Sequence, residues 1–336
     1  MCRKAEQPVE QNVRDQASSA VCGMVTYEVP TETSMNTRRW NFAFLVALAA
    51  AAVTPGFGQS APSSPDFSGI WDHPALPGFE PLATGPTSLR NLSRRNGVSN
   101  ALQLVGDYNN PILKPEAAAT VKKFGELSIN HFGYPNPRNQ CWPGGLPFEF
   151  TNNGMMMIQK PDEILILYRL DHQVRHVRMN QAHPARITPS WFGDSVGHYE
   201  GDSLVVDTVG IRIGPFAMVD WFGTPHTPAL HVVEHYRLLD YRAAKEAMDR
   251  SAKENVIPDF RVNPNDTGKH LQLLFTVEDP GVFTTPWSAT VTYGRERPVP
   301  GFGNGSEWEE EVCAENPHKY GTEKDVAVPT ADKPDF

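Results

Sequence analysis

SVGHYEGDSLVVDT, residues 195–208, has the pattern that indicates the fold class most clearly. Strand-forming residues lie on both sides of Gly201-Asp202, and such a pair between two strand-like segments is typical of a tight β-hairpin. The stretch therefore predicts two antiparallel strands, 195–200 and 203–209, joined by a turn.

Strand-like patterns recur on both sides of this hairpin. The further segments predicted as strands are 66–71, 155–159, 164–170, 174–179, 231–239, 271–278, 288–294 and 308–314. Segments 114–127 and 241–256 have helical spacing or composition instead, and we predict them as helices outside the sheet.

So many short strands leave exposed edges unless the sheet closes or folds on itself. We therefore predict a mainly β fold, an antiparallel meander that closes into a lipocalin-like barrel with a few peripheral helices. A β-sandwich is the alternative. Gly69-Ile70-Trp71 resembles the Gly-x-Trp start of lipocalin-like barrels. The prediction is one β-rich domain, 59–336, with a helical insertion near 241–257.

The N-terminal region has the layout of a secretory signal peptide. Arg38 and Arg39 precede an apolar run, 42–53, and small residues follow at Gly56 and Gly58. The run is too short to span a membrane, so 35–58 is predicted as a cleaved signal peptide. Residues 1–34 are polar and lack periodicity, and we predict a non-structural extension. The predicted location is periplasmic or secreted.

Charge and cysteine content restrict the function classes. The 336 residues carry 30 Lys and Arg against 39 Asp and Glu, a net charge of −9. Nucleic acids and anionic membrane surfaces are therefore poor partners.

Cleavage after Gly58 leaves two cysteines, Cys141 and Cys313. In an exported chain these predict one disulfide, with two unpaired thiols as the alternative.

The hairpin stretch resembles a pattern found in a large group of exported bacterial proteins of the acidobacterial and sphingomonad type, Ser-x-Gly-x-aromatic-Glu-Gly-Asp-x-Leu-Val-Val-Asp-Thr. The other blocks that carry the resemblance are 141–147, 175–184, His226, 231–234, 278–280, 286–287 and 313–316. It covers about 67–316 and implies export and a β-rich fold, but no particular reaction. The chain departs from the pattern at 241–269, where a short connection is expected.

The spacing of the histidines does not predict a metal site. His172 and His176, like His231 and His235, are four residues apart. On a strand four residues span about 13 Å, too far to hold one ion. Metal, phosphate-loop and dinucleotide motifs are missing as well. We predict no cofactor, and a metal site assembled from separate strands stays open.

Acid–base groups cluster around the strand predicted at 231–239. We predict His226, His231, Glu234 and Asp220 as catalytic, because histidine transfers protons near neutral pH and a carboxylate orients it. His231 and Glu234 should face opposite sides of the strand, and His226 should lie in a loop at the barrel mouth. Ordinary roles remain open, since Glu234 would also pair with Arg237 or Arg175.

Five residues are predicted to contact the substrate. An inward arginine would bind a carboxylate or phenolate, and a tyrosine would donate a proton or pack. The predicted residues are Arg175, Tyr168, Trp221, Trp287 and Met157.

Together these features predict a periplasmic, cofactor-independent acid–base enzyme, preferably a lyase. Its substrate would be a small hydrophobic or aromatic molecule in a barrel pocket. A hydrolase or isomerase would use the same groups. The alternatives from other classes are a non-catalytic protein that binds an apolar ligand, and an interaction protein whose barrel is filled by side chains.

Overall fold

Most of the chain after residue 63 is described by a computed structural model. It describes residues 64–73, 77–100, 102–130, 134–152, 154–170, 173–254 and 268–295, with the strand residues 318–319 and 324–325. All of them belong to the unit Ser60–Phe336. The predicted extension, signal peptide, strand 308–314 and Cys313 lie outside the described residues.

Strands outnumber helices in the described part of this unit. In chain order the elements are β1 (Gly69–Asp72), β2 (Glu80–Pro81), β3 (Arg94–Arg95), β4 (Val98–Ser99), α1 (Pro115–Asn130), β5 (Met155–Gln159), β6 (Glu163–Tyr168), β7 (Val174–Met179), β8 (Asp194–Glu200), β9 (Ser203–Val209), β10 (His231–Leu239), α2 (Tyr241–Glu254), β11 (His270–Glu278), β12 (Trp287–Arg295), β13 (His318–Lys319) and β14 (Lys324–Asp325).

Nine strands close into a barrel. They pair in the order β1–β5–β6–β7–β8–β9–β10–β11–β12, and β12 pairs with β1 again. The two-residue strand β2 pairs with the N-terminal half of β12, with Glu80 opposite Thr290. Closure gives each of the nine strands a partner on both sides, which confirms the barrel and excludes the sandwich.

One pairing in the barrel differs from the predicted antiparallel meander. β7 and β8 run parallel, with Val177 opposite Ser195 and Met179 opposite Gly197. A parallel pair requires a connection that returns to the starting end of the sheet. Residues 180–193 make this return, so the barrel is mixed rather than wholly antiparallel.

The barrel interior is filled by its own side chains. Strand alternation turns one residue in two inward, and the inward residues include Trp71, Tyr168, Phe275, Trp287 and Tyr293, each at most 2% exposed. A cavity large enough for an aromatic molecule would leave its lining side chains accessible. The described strands therefore form a packed core.

Two helices lie outside the barrel. α1 begins at Pro115, a residue suited to the first helical turn, and buries Ala117 and Val121. α2 buries Ala244 and Ala247, and it lies against β2, β4, β10, β11 and β12. In the described part of the chain, neither helix has the length and apolar character needed to cross a membrane.

Candidate functional site

A buried ion pair joins β7 to β10 inside the barrel. The guanidinium of Arg175 and the carboxylate of Glu234 share two hydrogen bonds, Nη1 to Oε2 at 2.9 Å and Nη2 to Oε1 at 2.6 Å. Both side chains are at most 1% exposed. Removing two charges from water costs several kcal/mol per ion unless further hydrogen bonds compensate. The hydrogen-bond partners of the two side chains therefore show whether the pair is structural or is left open to a substrate.

Protein acceptors surround every N–H group of Arg175. Nε donates to the Ser195 hydroxyl at 3.0 Å, and Nη2 donates to the Thr208 hydroxyl at 2.7 Å. Nη1 faces the Tyr168 hydroxyl at 3.5 Å. A guanidinium has five N–H donors, and the two bonds to Glu234 account for the rest. The arginine predicted to bind a substrate anion is neutralised by a carboxylate of its own chain.

The carboxylate of Glu234 is held by a second donor. The Tyr236 hydroxyl donates to Oε2 at 2.7 Å. Burial raises the pKa of Tyr236 well above its ordinary value, and burial raises the pKa of Tyr168 as well. Both hydroxyls are therefore protonated donors at neutral pH. Glu234 therefore pairs with Arg175 and not with Arg237. The polar groups of this network hydrogen-bond to one another.

His231 faces the outside of the barrel, on the opposite side of β10 from Glu234. Its Nε2 lies 3.0 Å from Oδ1 of Asp207, a residue of β9. Its Nδ1 lies 3.9 Å from the Glu278 carboxylate on β11. The predicted opposition of His231 and Glu234 is confirmed, and the carboxylate that orients His231 is Asp207, not Asp220 or Glu234.

A second histidine continues this outer network. His183, in the β7–β8 connection, places Nδ1 2.6 Å from Asp194 and Nε2 3.0 Å from Asp207. Arg178 also contacts Asp194, at 2.6 Å. Although burial opposes it, these carboxylates raise the pKa of His183. Both ring nitrogens of His183 are engaged, so this histidine ties the connection to the barrel wall.

Asp220 shapes the loop that leads to His226. Its Oδ1 accepts the backbone N–H groups of Phe222 and Thr224, at 2.9 and 3.3 Å, and Oδ2 accepts the Thr224 hydroxyl at 2.8 Å. Gly223 has φ +74°, and a Cβ there would lie 2.3 Å from the Phe124 ring. Burial raises the pKa of Asp220 to about 6. Asp220 therefore stabilises a tight turn and does not contact a histidine.

A second carboxylate anchors the loop just after His226. Asp279 accepts the backbone N–H of Thr227 at 2.6 Å and the Thr227 hydroxyl at 2.8 Å. It also accepts the N–H of Gly281, at 2.9 Å. Asp279 is 1% exposed, so this connection between residues 210–230 and 279–286 is well ordered by hydrogen bonds.

The His226 ring sits between these two anchors and is 9% exposed. Nδ1 lies 3.3 Å from the carbonyl oxygen of Thr227. Because a carbonyl only accepts, Nδ1 carries the proton in this contact, and the neutral ring then has its lone pair on Nε2. No described residue hydrogen-bonds Nε2. Burial lowers the pKa of His226, against the opposing effects of Thr227 and Asp279.

The three apolar residues predicted to line a pocket do not meet at His226. Met157 and Trp287 are 1% exposed and belong to the packed interior, where Phe283 lies 5.7 Å from Trp287 between ring centroids. The indole N–H of Trp221 donates to the Thr151 hydroxyl at 2.7 Å. Trp221, the residue after Asp220, therefore packs against the turn at 148–151, where its ring centroid lies 5.0 Å from that of Phe148.

The sequence did not identify Asp207, His183 or Asp279 as important polar groups. Strand alternation places Asp207 outside the barrel, but its proximity to His231 depends on the β9–β10 register. That register is set by tertiary pairing, which a single sequence does not specify. Among the described residues, no group of three or more His, Cys, Asp or Glu side chains is arranged to hold a metal ion.

No protein-family model, no curated protein and no solved structure matches this chain. The candidate site therefore stands on its own geometry.

Proposed function

We propose that the protein is a periplasmic, cofactor-independent acid–base enzyme, a lyase by preference, that acts on a small hydrophobic or aromatic molecule with His226 as its base. The observation that carries the proposal is the state of the His226 ring. The ring is buried and its Nδ1–H is directed at the Thr227 carbonyl. No described residue hydrogen-bonds to Nε2.

The lowered pKa of His226 suits this role. Burial disfavours the imidazolium, so the ring is neutral at neutral pH and its Nε2 accepts a proton. The imidazolium formed in the reaction is, for the same reason, a stronger acid than an exposed one and returns the proton readily.

A lyase reaction uses the neutral imidazole of His226 first as a base, and then the imidazolium as an acid. Nε2 takes a proton from a carbon next to an electron-withdrawing group, and the electrons of that C–H bond form a double bond. The bond from the adjacent carbon to the leaving group breaks with its electron pair, and the imidazolium protonates the leaving group. A hydrolase would use Nε2 to deprotonate water, and an isomerase would return the proton to another carbon.

The substrate is proposed to bind at the loop end of the barrel rather than inside it. His226 lies in the connection between β9 and β10, next to the β11–β12 connection that contains Asp279. The inward side chains of the described strands fill the interior, which weighs against an apolar ligand held there. The packed interior and the closed Arg175–Glu234 network support assigning those residues to stability.

The test is turnover by purified exported protein, with small aromatic compounds that carry a leaving group β to an acidic C–H. We expect His226→Ala to lose about 100-fold or more in kcat/KM, the usual contribution of a general base. His198→Ala is the matched control, because His198 is an exposed histidine bonded to Glu200. Equal rates for His226→Ala and the native protein, on a substrate the native protein converts, would remove the proposal.

A further inference from the structure

Aromatic side chains from three loops meet on the protein surface, away from the contacts of His226. The ring centroids of Trp142 and Trp191 are 5.6 Å apart, and those of Trp142 and Phe216 are 6.3 Å apart. Trp142 is 37% exposed, and Ile213, which follows Arg212 in the chain, is 49% exposed. We call Trp142, Trp191, Phe216 and Arg212 the tryptophan platform.

The two indoles are held in place by the close approach of the β9–β10 connection. A Cβ at Gly214 would lie 2.5 Å from Cη2 of Trp191 and 3.9 Å from Cε3 of Trp142. Ser190 and Ile211 form a parallel bridge beside them, and the N–H of Arg212 donates to the Ser190 carbonyl at 2.8 Å. A rigid aromatic surface loses little conformational entropy when it binds a ligand.

A cation that has no counter-ion in the described part of the chain lies on this surface. The guanidinium carbon of Arg212 is 5.1 Å from the centroid of the Trp191 ring. Arg212 is exposed, and no described carboxylate pairs with it, whereas Arg175 and Arg178 each contact one. In a chain with a net charge of −9, an uncompensated arginine beside an exposed indole complements a ligand that is both aromatic and anionic.

We infer that the tryptophan platform is a binding site for a small aromatic carboxylate, whose ring packs on Trp142 while its carboxylate contacts the Arg212 guanidinium. Edge-to-face and stacked aromatic contacts supply the apolar part of such binding. The guanidinium supplies charged hydrogen bonds that suit the planar carboxylate. The inference does not depend on His226 or on catalysis.

The test is calorimetric titration of the full exported protein with 2-naphthoate. We expect saturable binding at one site, about fivefold or more weaker for the neutral 2-naphthalenemethanol and for the non-aromatic cyclohexanecarboxylate, as expected for losing one charged or one aromatic contact. Arg212→Gln should weaken 2-naphthoate about fivefold, and Trp142→Ala about tenfold. Trp142→Phe, which keeps a ring, should recover part of the affinity.

Arg186→Gln is the matched control, since it removes another exposed arginine, and it should leave the affinity unchanged. His226→Ala should also bind 2-naphthoate normally, which separates this site from the proposed catalysis. The inference is overturned if the native protein shows no saturable binding, or if Arg186→Gln weakens binding as much as Arg212→Gln. Equal binding by Trp142→Ala and native protein would overturn it too.

Discussion

Glu234 and Arg175 are charged side chains in a part of the barrel that excludes water, and each is the other's main partner. Neither charge has an alternative counter-ion among the hydrogen bonds of this network, because the other partners are hydroxyl groups. Each charge therefore depends on the other for the free energy that offsets its burial. Removing one leaves the other buried and uncompensated.

Glu234→Ala should destabilise the protein by about 3–5 kcal/mol, the usual cost of breaking a buried pair. Replacing both residues with apolar side chains, Arg175→Met with Glu234→Leu, should recover much of that loss. Urea unfolding followed by intrinsic fluorescence measures both effects. Asp249→Ala, which removes an exposed pair with Lys245 on α2, is the control and should cost less than about 1 kcal/mol. A single variant as stable as the control would contradict the account.

His183 gives the outer face a pH dependence of definite sign. Its pKa is raised in the folded protein, since burial is outweighed by the hydrogen bonds to Asp194 and Asp207. A raised histidine pKa stabilises the fold below the ordinary value of 6.5, and this contribution is lost as the pH rises through the folded pKa. The His183 contacts therefore stabilise the β7–β8 connection most in mild acid.

The native protein should exceed His183→Gln in melting temperature most clearly near pH 6, and the difference should shrink by about pH 9. Thermal melts at these two pH values measure it. His198→Gln controls for loss of an exposed histidine. A difference that grows towards alkaline pH would mean that His183 is not charged in the fold.

Residue-scale prediction from the sequence succeeded where it rested on strand alternation alone. His231 and Glu234 lie on opposite faces of the strand, as predicted, and the structure places His231 outside the barrel and Glu234 inside. The partners of these side chains were harder to predict, because Asp207 and Arg175 lie on other strands. Which strands are neighbours, and in which register, depends on the whole barrel.

At the scale of elements, α2 is joined to the barrel wall by a buried carboxylate. Glu80 of β2 is 1% exposed, and its Oε1 lies 3.2 Å from Nη2 of Arg250 on α2. Burial raises the pKa of Glu80 to about 6, against the opposing effects of Thr290, Arg250 and Thr292. At neutral pH the fold therefore bears the cost of an ionised buried carboxylate.

Glu80→Gln should gain stability relative to the native protein as the pH rises from about 4.5 to above 6, because the neutral amide avoids that cost. The relative gain should be roughly 2 kcal/mol, and chemical unfolding at pH 4.5 and pH 8 measures it. Glu126→Gln on α1 changes an exposed carboxylate and should show no such trend. A pH-independent difference for Glu80→Gln would contradict the raised pKa.

Elements with local signals were predicted well. The hairpin of β8 and β9 is where the Gly201-Asp202 turn indicated, and α2 begins at Tyr241 as predicted. The parallel pairing of β7 with β8 was not predicted. Residues 180–193 contain no helix to signal a crossover, and so the connection resembles an ordinary loop in sequence.

At the scale of the whole molecule, the predicted disulfide between Cys141 and Cys313 is open to a direct test, since Cys313 lies outside the described residues. Protein that lacks residues 1–58, and with them Cys2 and Cys22, should show no thiol reactive in denaturant before reduction and two afterwards. Cys313→Ser should expose one thiol and cost about 2–5 kcal/mol, because the bridge would close a long loop. Thiol titration and urea unfolding measure these effects. Two reactive thiols before reduction would exclude the bridge.

Barrel closure was predictable because many short strands without a covering layer must avoid free edges. Whether the interior holds a cavity was not predictable. Strand alternation shows which side chains point inward, but not how completely they fill the space. Because the interior is packed, we propose that the substrate binds at the loops at one end of the barrel. There, Asp220 and Asp279 hold the segments on either side of His226.

Measurement of the protonation state of His226 is the sharpest test of the proposed acid–base role, and it requires no substrate. Side-chain nitrogen NMR of the labelled protein, with the signal assigned by its loss in His226→Gln, gives both the tautomer and the pKa. We predict a neutral ring protonated on Nδ1, with a pKa below the ordinary value of 6.5. A ring protonated on Nε2, or one still charged above pH 6.5, would contradict it.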